Sequence, residues 1–475
     1  MIRRALGLCV VVFVGCSGLP PEGTGGGGGS TASGGGTGGG ASNTGGGTAG
    51  GACRFGLADI SADTTLSGDV TLDCAVIVRT EVTLTLAAGT NLRVGGTFDV
   101  DGSLKVEGTA ALPVTISRAG ATPWGPLLLR DTFGTRTFSL QHVTLRGAGD
   151  PSAVETSVTM GAALVHQVHD VPLLVEAVTI DGASGVGLSM ESGPFAAGST
   201  GLTIKNSGSY AMFVSTEHLG TIPQGSYATN AKAAILTGTG WRAPYSQSTR
   251  ITTDSTIHKF DVPYVVGTGK YKSDIVISTV QGGQPTFTSI PLVTVEPGVT
   301  FRFAKVKGAG VYQSLLNVDS APENSTWRPL GALRAVGTAA APIVFTSDEA
   351  TPAAGDWATI SFEELDARTQ LDHVEIAYAG ADARALGACT TGSPTAGGNS
   401  PVDGDAAFQQ YMNVGAPSRA ALTNSLVHDS AGGGVYRAFA DTAVDFLATN
   451  TFTNVAWCRQ TPVKISGSCV PMTCN

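Results

Sequence analysis

The sequence predicts an all-β body, a β-solenoid, preceded by a signal peptide and a disordered Gly-rich linker. Three observations carry this expectation. Short runs rich in Val, Leu, Ile and Thr recur between Gly, Asp or Ala-Gly turns. No amphipathic helical pattern of useful length separates them, which excludes alternating strand-helix units and leaves sandwiches, barrels, propellers or a solenoid. Two distant stretches repeat each other, and internal repetition favours the solenoid.

The first strands are expected at 70–78, 82–86, 91–94, 97–100, 103–106 and 113–116. The repeat begins within them. Gly102-Ser-Leu104-Lys-Val106-Glu-Gly108-Thr109 matches Gly331-Ala-Leu333-Arg-Ala335-Val-Gly337-Thr338. Each is followed by a strand, Pro113-Val-Thr-Ile116 or Pro342-Ile-Val-Phe345, and then by Trp124-Gly-Pro-Leu127 or Trp357-Ala-Thr-Ile360. Leu140-Gln-His142-Val143-Thr-Leu145 matches Leu371-Asp-His373-Val374-Glu-Ile376, and Gly149 and Gly380 close the copies. The second copy carries an insertion that runs through Pro329. One turn of such a coil cannot bury its own apolar face, but stacked turns build a continuous core.

The block of Gly-x-Leu-x-Val-x-Gly-Thr, Trp-x-x-Ile-x-Phe and Leu-x-His-Val-x-Ile resembles exported right-handed parallel β-helix proteins of the pectate-lyase-like superfamily. That resemblance implies a fold and no single activity, because the fold carries lyases, hydrolases, adhesins and surface proteins alike. The coil is expected to continue through Val178-Thr-Ile180-Asp-Gly182 and Leu202-Thr-Ile204-Lys-Asn206, and again at Leu422-Thr-Asn424 and Phe446 to Asn450. Asn424 and Asn450 read either as an internal ladder or as ordinary turn residues. Stretches 217–229 and 383–404 read as excursions from the coil.

At the N-terminus, Arg3 and Arg4 precede the apolar run 6–14, the pattern of a secretory signal. Phe13-Val14-Gly15-Cys16 resembles the bacterial lipobox, whose cysteine is diacylated and becomes the first mature residue. Cys16 is therefore the expected lipid attachment site, and Ser17 after it favours sorting to the outer membrane. Residues 20–51 are almost wholly Gly, Ser, Thr and Ala and suit a flexible tether. Its style resembles that of surface lipoproteins from gliding soil bacteria, the myxobacteria. The expected organisation is a signal peptide at 1–15, acylated Cys16 and tether at 16–52, and a β-helical body at 53–475. A second reading splits the body into abutting segments 53–285 and 286–475.

Beyond Cys9 in the signal and Cys16 at the anchor, six cysteines remain: Cys53, Cys74, Cys389, Cys458, Cys469 and Cys474. An even number in an exported chain suggests three disulfides. Closeness along the chain makes Cys53 with Cys74 the first guess, while the last four allow three pairings. Their irregular spacing, with no histidine beside the C-terminal trio, argues against zinc.

Charged residues make up 14% of the chain and the net charge is -9, so with no basic stripe nucleic acid is a poor partner. No nucleophile elbow, zinc-protease helix or phosphate-binding loop is present, and no metal or cofactor is expected. Asp403-Gly-Asp405 offers hard oxygens suited to calcium but reads better as a turn. His166 and His169, three apart in a strand, point to opposite faces. His142 and His373 hold equivalent places in the repeat and suggest a structural role. Trp124 and Trp357, also equivalent, are candidates for stacking on a sugar or for closing the gap between rungs. The leading expectation is a membrane-anchored, non-catalytic structural, adhesion or protein-interaction module. Its partners would be the membrane, through the anchor, and a protein or polysaccharide of the envelope. The alternatives are a carbohydrate-binding protein and, behind it, a polysaccharide lyase or glycoside hydrolase.

Overall fold

In most coils the chain crosses three faces, laying one short strand on each, and the strands of each face pair in parallel with their counterparts one coil on. A computed structural model describes residues 57–132, 134–151, 160–169, 171–238, 250–270, 272–281, 284–307, 313–324, 326–362, 364–381, 405–411, 417–439 and 444–461. All of them belong to one compact unit. The fold is an all-β, right-handed parallel β-helix.

Sheet 1 has fourteen strands and runs from Leu57–Ile60 to Thr451–Val455. Up to Asp181 each coil passes from sheet 1 to a five-stranded sheet 2 and then a seven-stranded sheet 3, and the next two coils reach sheet 3 without a strand on sheet 2. From Arg250 onward it passes from sheet 1 to a six-stranded sheet 4 and a five-stranded sheet 5. Alternation within each strand explains the core. In Thr83–Leu86 and Asn91–Val94 every second side chain is buried. Leu84, Leu86, Leu92 and Val94 therefore face inward, each contributing about 1.5–3 kcal/mol of apolar burial. Inside the later coils the aromatics stack: Tyr264 on Phe301 at 5.3 Å, Phe301 on Phe345 at 5.2 Å, and Phe303 on Trp357 at 4.4 Å between ring centroids.

The corners show why the repeat conserves its odd residues from copy to copy. His142 (φ 44) and His373 (φ 50) are single left-handed residues that turn the chain between adjacent strands. Gly108 and Gly337 lie under these corners, where any Cβ would collide with the carbonyl oxygens of His142 and His373 respectively. Asparagine serves elsewhere. Asn206 (φ 58) donates to Asp181 at 2.8 Å, and Asn424 (φ 48) donates to Asp372 at 2.8 Å, each reaching the preceding coil. Asn450 does different work inside the coil: it accepts from the Ser425 N–H at 2.9 Å and donates to the carbonyls of Leu422 and Phe446. Asn230 makes the same set of bonds to Ser207, Ile204 and Tyr227. Asn424 and Asn450 are thus a corner and an internal clamp, not rungs of one ladder.

Three expectations change. The single run at 70–78 breaks at Asp73-Cys74 into Asp69–Leu72 on sheet 3 and Ala75–Val78 on sheet 1. Stretch 217–229 stays within the coil: a 3-10 turn, Thr216–Thr221, follows sheet 1, then Gly225–Ser226 ends sheet 3 and Tyr227 is buried. The insertion through Pro329 is in part an ordinary turn of the coil: Leu316–Val318 joins sheet 4, and Ser320–Glu323 with Thr326–Pro329 forms a small antiparallel hairpin.

The two copies do not share faces. In the first, the strand after the tryptophan, Leu127–Leu129, lies on sheet 1, and the strand after the His142 corner, Val143–Arg146, on sheet 3. In the second, the strand after Trp357, Ile360–Phe362, lies on sheet 4, and the strand after the His373 corner, Val374–Ala377, on sheet 1. The pattern has moved by one face while sheet 1 stays continuous. Sheet 2 ends at Leu173–Glu176 and sheet 3 at Gly225–Ser226, while sheets 4 and 5 begin at Arg250–Ile251 and Ser255–Ile257, all upstream of 285.

Candidate functional site

Two polar regions of the coil concentrate chemistry. The first is the corner that follows sheet 1. Leu129, His166, Met190 and Val214 are in register on successive coils, so the residues after them line up. Gln167 donates to Glu191 at 3.1 Å, and Ser189 donates to the other oxygen of Glu191 at 3.1 Å. Further along the same corner, His169 Nδ1 lies 3.3 Å from Asp131, which also receives Arg136 at 3.4 Å. One coil beyond Glu191, His218 Nε2 lies 3.2 Å from the Ser192 carbonyl and 3.4 Å from Glu217.

Burial sets the protonation here. It lowers His218 from its ordinary value, against the opposing pull of Glu217 and the Ser192 carbonyl. His166 points inward and is fully buried, its ring edge-on to Phe138 at 5.9 Å. Desolvation pushes it down to about 4, and the Val171 backbone offsets only part of this. His169, by contrast, is half-exposed. Asp131 thus orients the His169 ring, while Glu191 and Glu217 are engaged by Gln167, Ser189 and His218. Beside this corner the outward column of sheet 1 runs Leu128, Val165, Ser189, Phe213, Leu236 and Val265, apolar but for Ser189 and buried throughout.

The second region is the outer face of sheet 3. Thr115, Thr144, Thr179 and Thr203 occupy one outward column in strict register, preceded by Asn91 and followed by Ser226. All four are partly exposed, and their hydroxyls have no hydrogen-bond partner among the described residues. A parallel column carries Arg93 and Ser117, then Arg146, Asp181 and Lys205. The exposed guanidiniums of Arg93 and Arg146 have no partner among the described residues. Asp181 is engaged by Asn206 at 2.8 Å and Lys205 at 3.9 Å.

The remaining candidates separate clearly. Trp124 and Trp357 are 1% and 0% exposed, and their indole N–H groups donate to the carbonyls of Arg146 at 2.9 Å and Ala377 at 2.8 Å. Neither presents a ring face to a sugar, so the stacking expectation is corrected: both close the gap between neighbouring turns. Cys74 and Cys458 are each disulfide-bonded. Cys16, Cys53, Cys389, Cys469, Cys474 and Asp403 lie outside the described residues. Among the described residues no three His, Cys, Asp or Glu side chains converge as ligands for a metal ion. His428 is held between Asp429 at 2.7 Å and Glu375 at 3.2 Å, a link between neighbouring strands of sheet 1. The threonine column was missed in the sequence, although its signal is there: Val-Thr-Ile, Val-Thr-Leu, Val-Thr-Ile and Leu-Thr-Ile place threonine in the same slot of four rungs. No protein-family model, curated protein or solved structure matches the chain.

Proposed function

We propose that the chain is an exported lipoprotein, held to the outer membrane by acyl chains on Cys16, whose β-helical body is a non-catalytic binding scaffold at the cell envelope. The observation that supports this reading is where the polar side chains go. Asp59 pairs with Arg79, Asp181 with Asn206, Asp372 with Asn424, and Asp429 with His428 and Asn454, so each ties neighbouring strands or coils together. What is left outward is a set of long, regular faces, of which sheet 3 is the most uniform. Such faces suit partners that are themselves extended. Expression of the full chain beside Cys16→Ala tests the anchor: the parent is expected in the membrane fraction and the variant in the soluble one. Equal partitioning of the two would refute it. A second reading, cleavage of a polysaccharide, is favoured only by the corner of Asp131, His169, Glu191 and Glu217.

A further inference from the structure

We propose that the outer face of sheet 3 binds an extended acidic polysaccharide with one negative charge on every second sugar. This rests on the scaffold reading and names its partner. Strands in a parallel sheet repeat by translation at about 4.8 Å, so the four threonines form a row of identical groups at that interval. A polymer that also repeats by translation is the ligand able to satisfy every member of such a row at once. Each threonine offers a hydroxyl that donates and accepts and a methyl for the apolar C–H faces of a sugar ring. The four threonines span about 14 Å, the length of a short oligosaccharide, and the row ends where Asn91 and Ser226, next in the column, are already engaged by Asp69 and Asp261.

The second column sets the charge. Arg93 and Arg146 are two strands apart, about 9.6 Å, with neutral Ser117 between them. A guanidinium binds a carboxylate or sulfate through paired hydrogen bonds, so this spacing fits an anion on alternate sugars, and neutral Ser117 gives the anion of an intervening sugar no charged partner. Asp181 does not oppose it, because Lys205 and Asn206 already hold its carboxylate. Two free cations beside the row also disfavour ordered water as its only occupant, which an uncharged array would suit.

The test is calorimetric titration of the full chain in detergent with three oligosaccharides: hyaluronan, with a uronate on every second sugar; oligogalacturonate, with one on every sugar; and neutral dextran. Hyaluronan should bind most tightly. The doubly substituted Arg93→Ala/Arg146→Ala chain should lose about tenfold for each arginine. Thr144→Val/Thr179→Val, which keeps the branched shape and removes only hydroxyls, should lose about tenfold in total. Both substituted chains should keep the parental melting temperature, since all four side chains lie at the surface. Absence of hyaluronan binding, equal or tighter binding of oligogalacturonate or dextran, or binding unchanged in either substituted chain would overturn the proposal. If the full chain still binds isolated envelopes while hyaluronan fails, only this site is lost. If both fail, the scaffold reading falls with it.

Discussion

Replacing His166 with leucine should remove a specific acid sensitivity. The ring is fully buried and its nitrogens make no well-formed hydrogen bond, so the folded protein holds it neutral down to about pH 4. In the unfolded chain the same ring protonates near its ordinary 6.5. Above 6.5 both states are neutral and the histidine contributes no pH dependence. Between 6.5 and about 4 the unfolded state binds a proton that the folded state refuses, so stability falls as pH falls and levels off below. At about 1.4 kcal/mol per pH unit the loss amounts to roughly 3 kcal/mol. Urea denaturation followed by circular dichroism at pH 7.5 and pH 4.5 would measure it. The parent should lose roughly 2.5 kcal/mol more than His166→Leu over this range. His218 and the carboxylates are common to both proteins and cancel in the comparison. Parallel losses would refute a neutral, buried His166.

Four further outcomes follow from the packing. Phe301→Ala, which empties the middle of the aromatic stack, should cost about 3–5 kcal/mol in chemical denaturation. Gly108→Ala should be far more damaging than His142→Gly: the first drives a methyl into the corner carbonyl, while the second relieves a left-handed residue and should change stability by no more than about 1 kcal/mol. Asn450→Ala should cost about 2–3 kcal/mol, because it strands the Ser425 N–H and two carbonyls inside the coil. Peptide mapping without reduction should recover Cys74 joined to Cys53, which precedes the first strand, Leu57–Ile60; that strand pairs with Ala75–Val78, immediately after Cys74.

Much of the fold was legible because its causes are local. A strand of alternating burial needs only Val, Leu and Ile at every second place, and the runs at 91–94 and 103–106 show that pattern directly. The repeat likewise flagged Gly108, His142 and their partners as corner residues, since a left-handed turn and the close approach beneath it leave few choices of side chain. The shift of the second copy by one face was not legible. Residues such as Trp357 and His373 report their place within a turn, not which sheet that turn joins, and the shift accompanies the replacement of sheets 2 and 3 by sheets 4 and 5 between the copies. The tryptophans left two readings open for a related reason, and the structure bears out the closing of the gap between rungs: an indole that stacks on a sugar and one that bonds a neighbouring carbonyl have the same sequence signature. The threonine row escaped notice because each threonine is an ordinary strand residue, and only register makes four of them a surface.

The central claim is that the body binds its partner without altering it. The most direct measurement incubates the full chain with envelope polysaccharide, recovers the bound glycan and compares its length with the starting material by size-exclusion chromatography. The account predicts retention of glycan at unchanged length. Progressive shortening, abolished by His169→Ala, would contradict it and make the corner of Asp131 and His169 an active site.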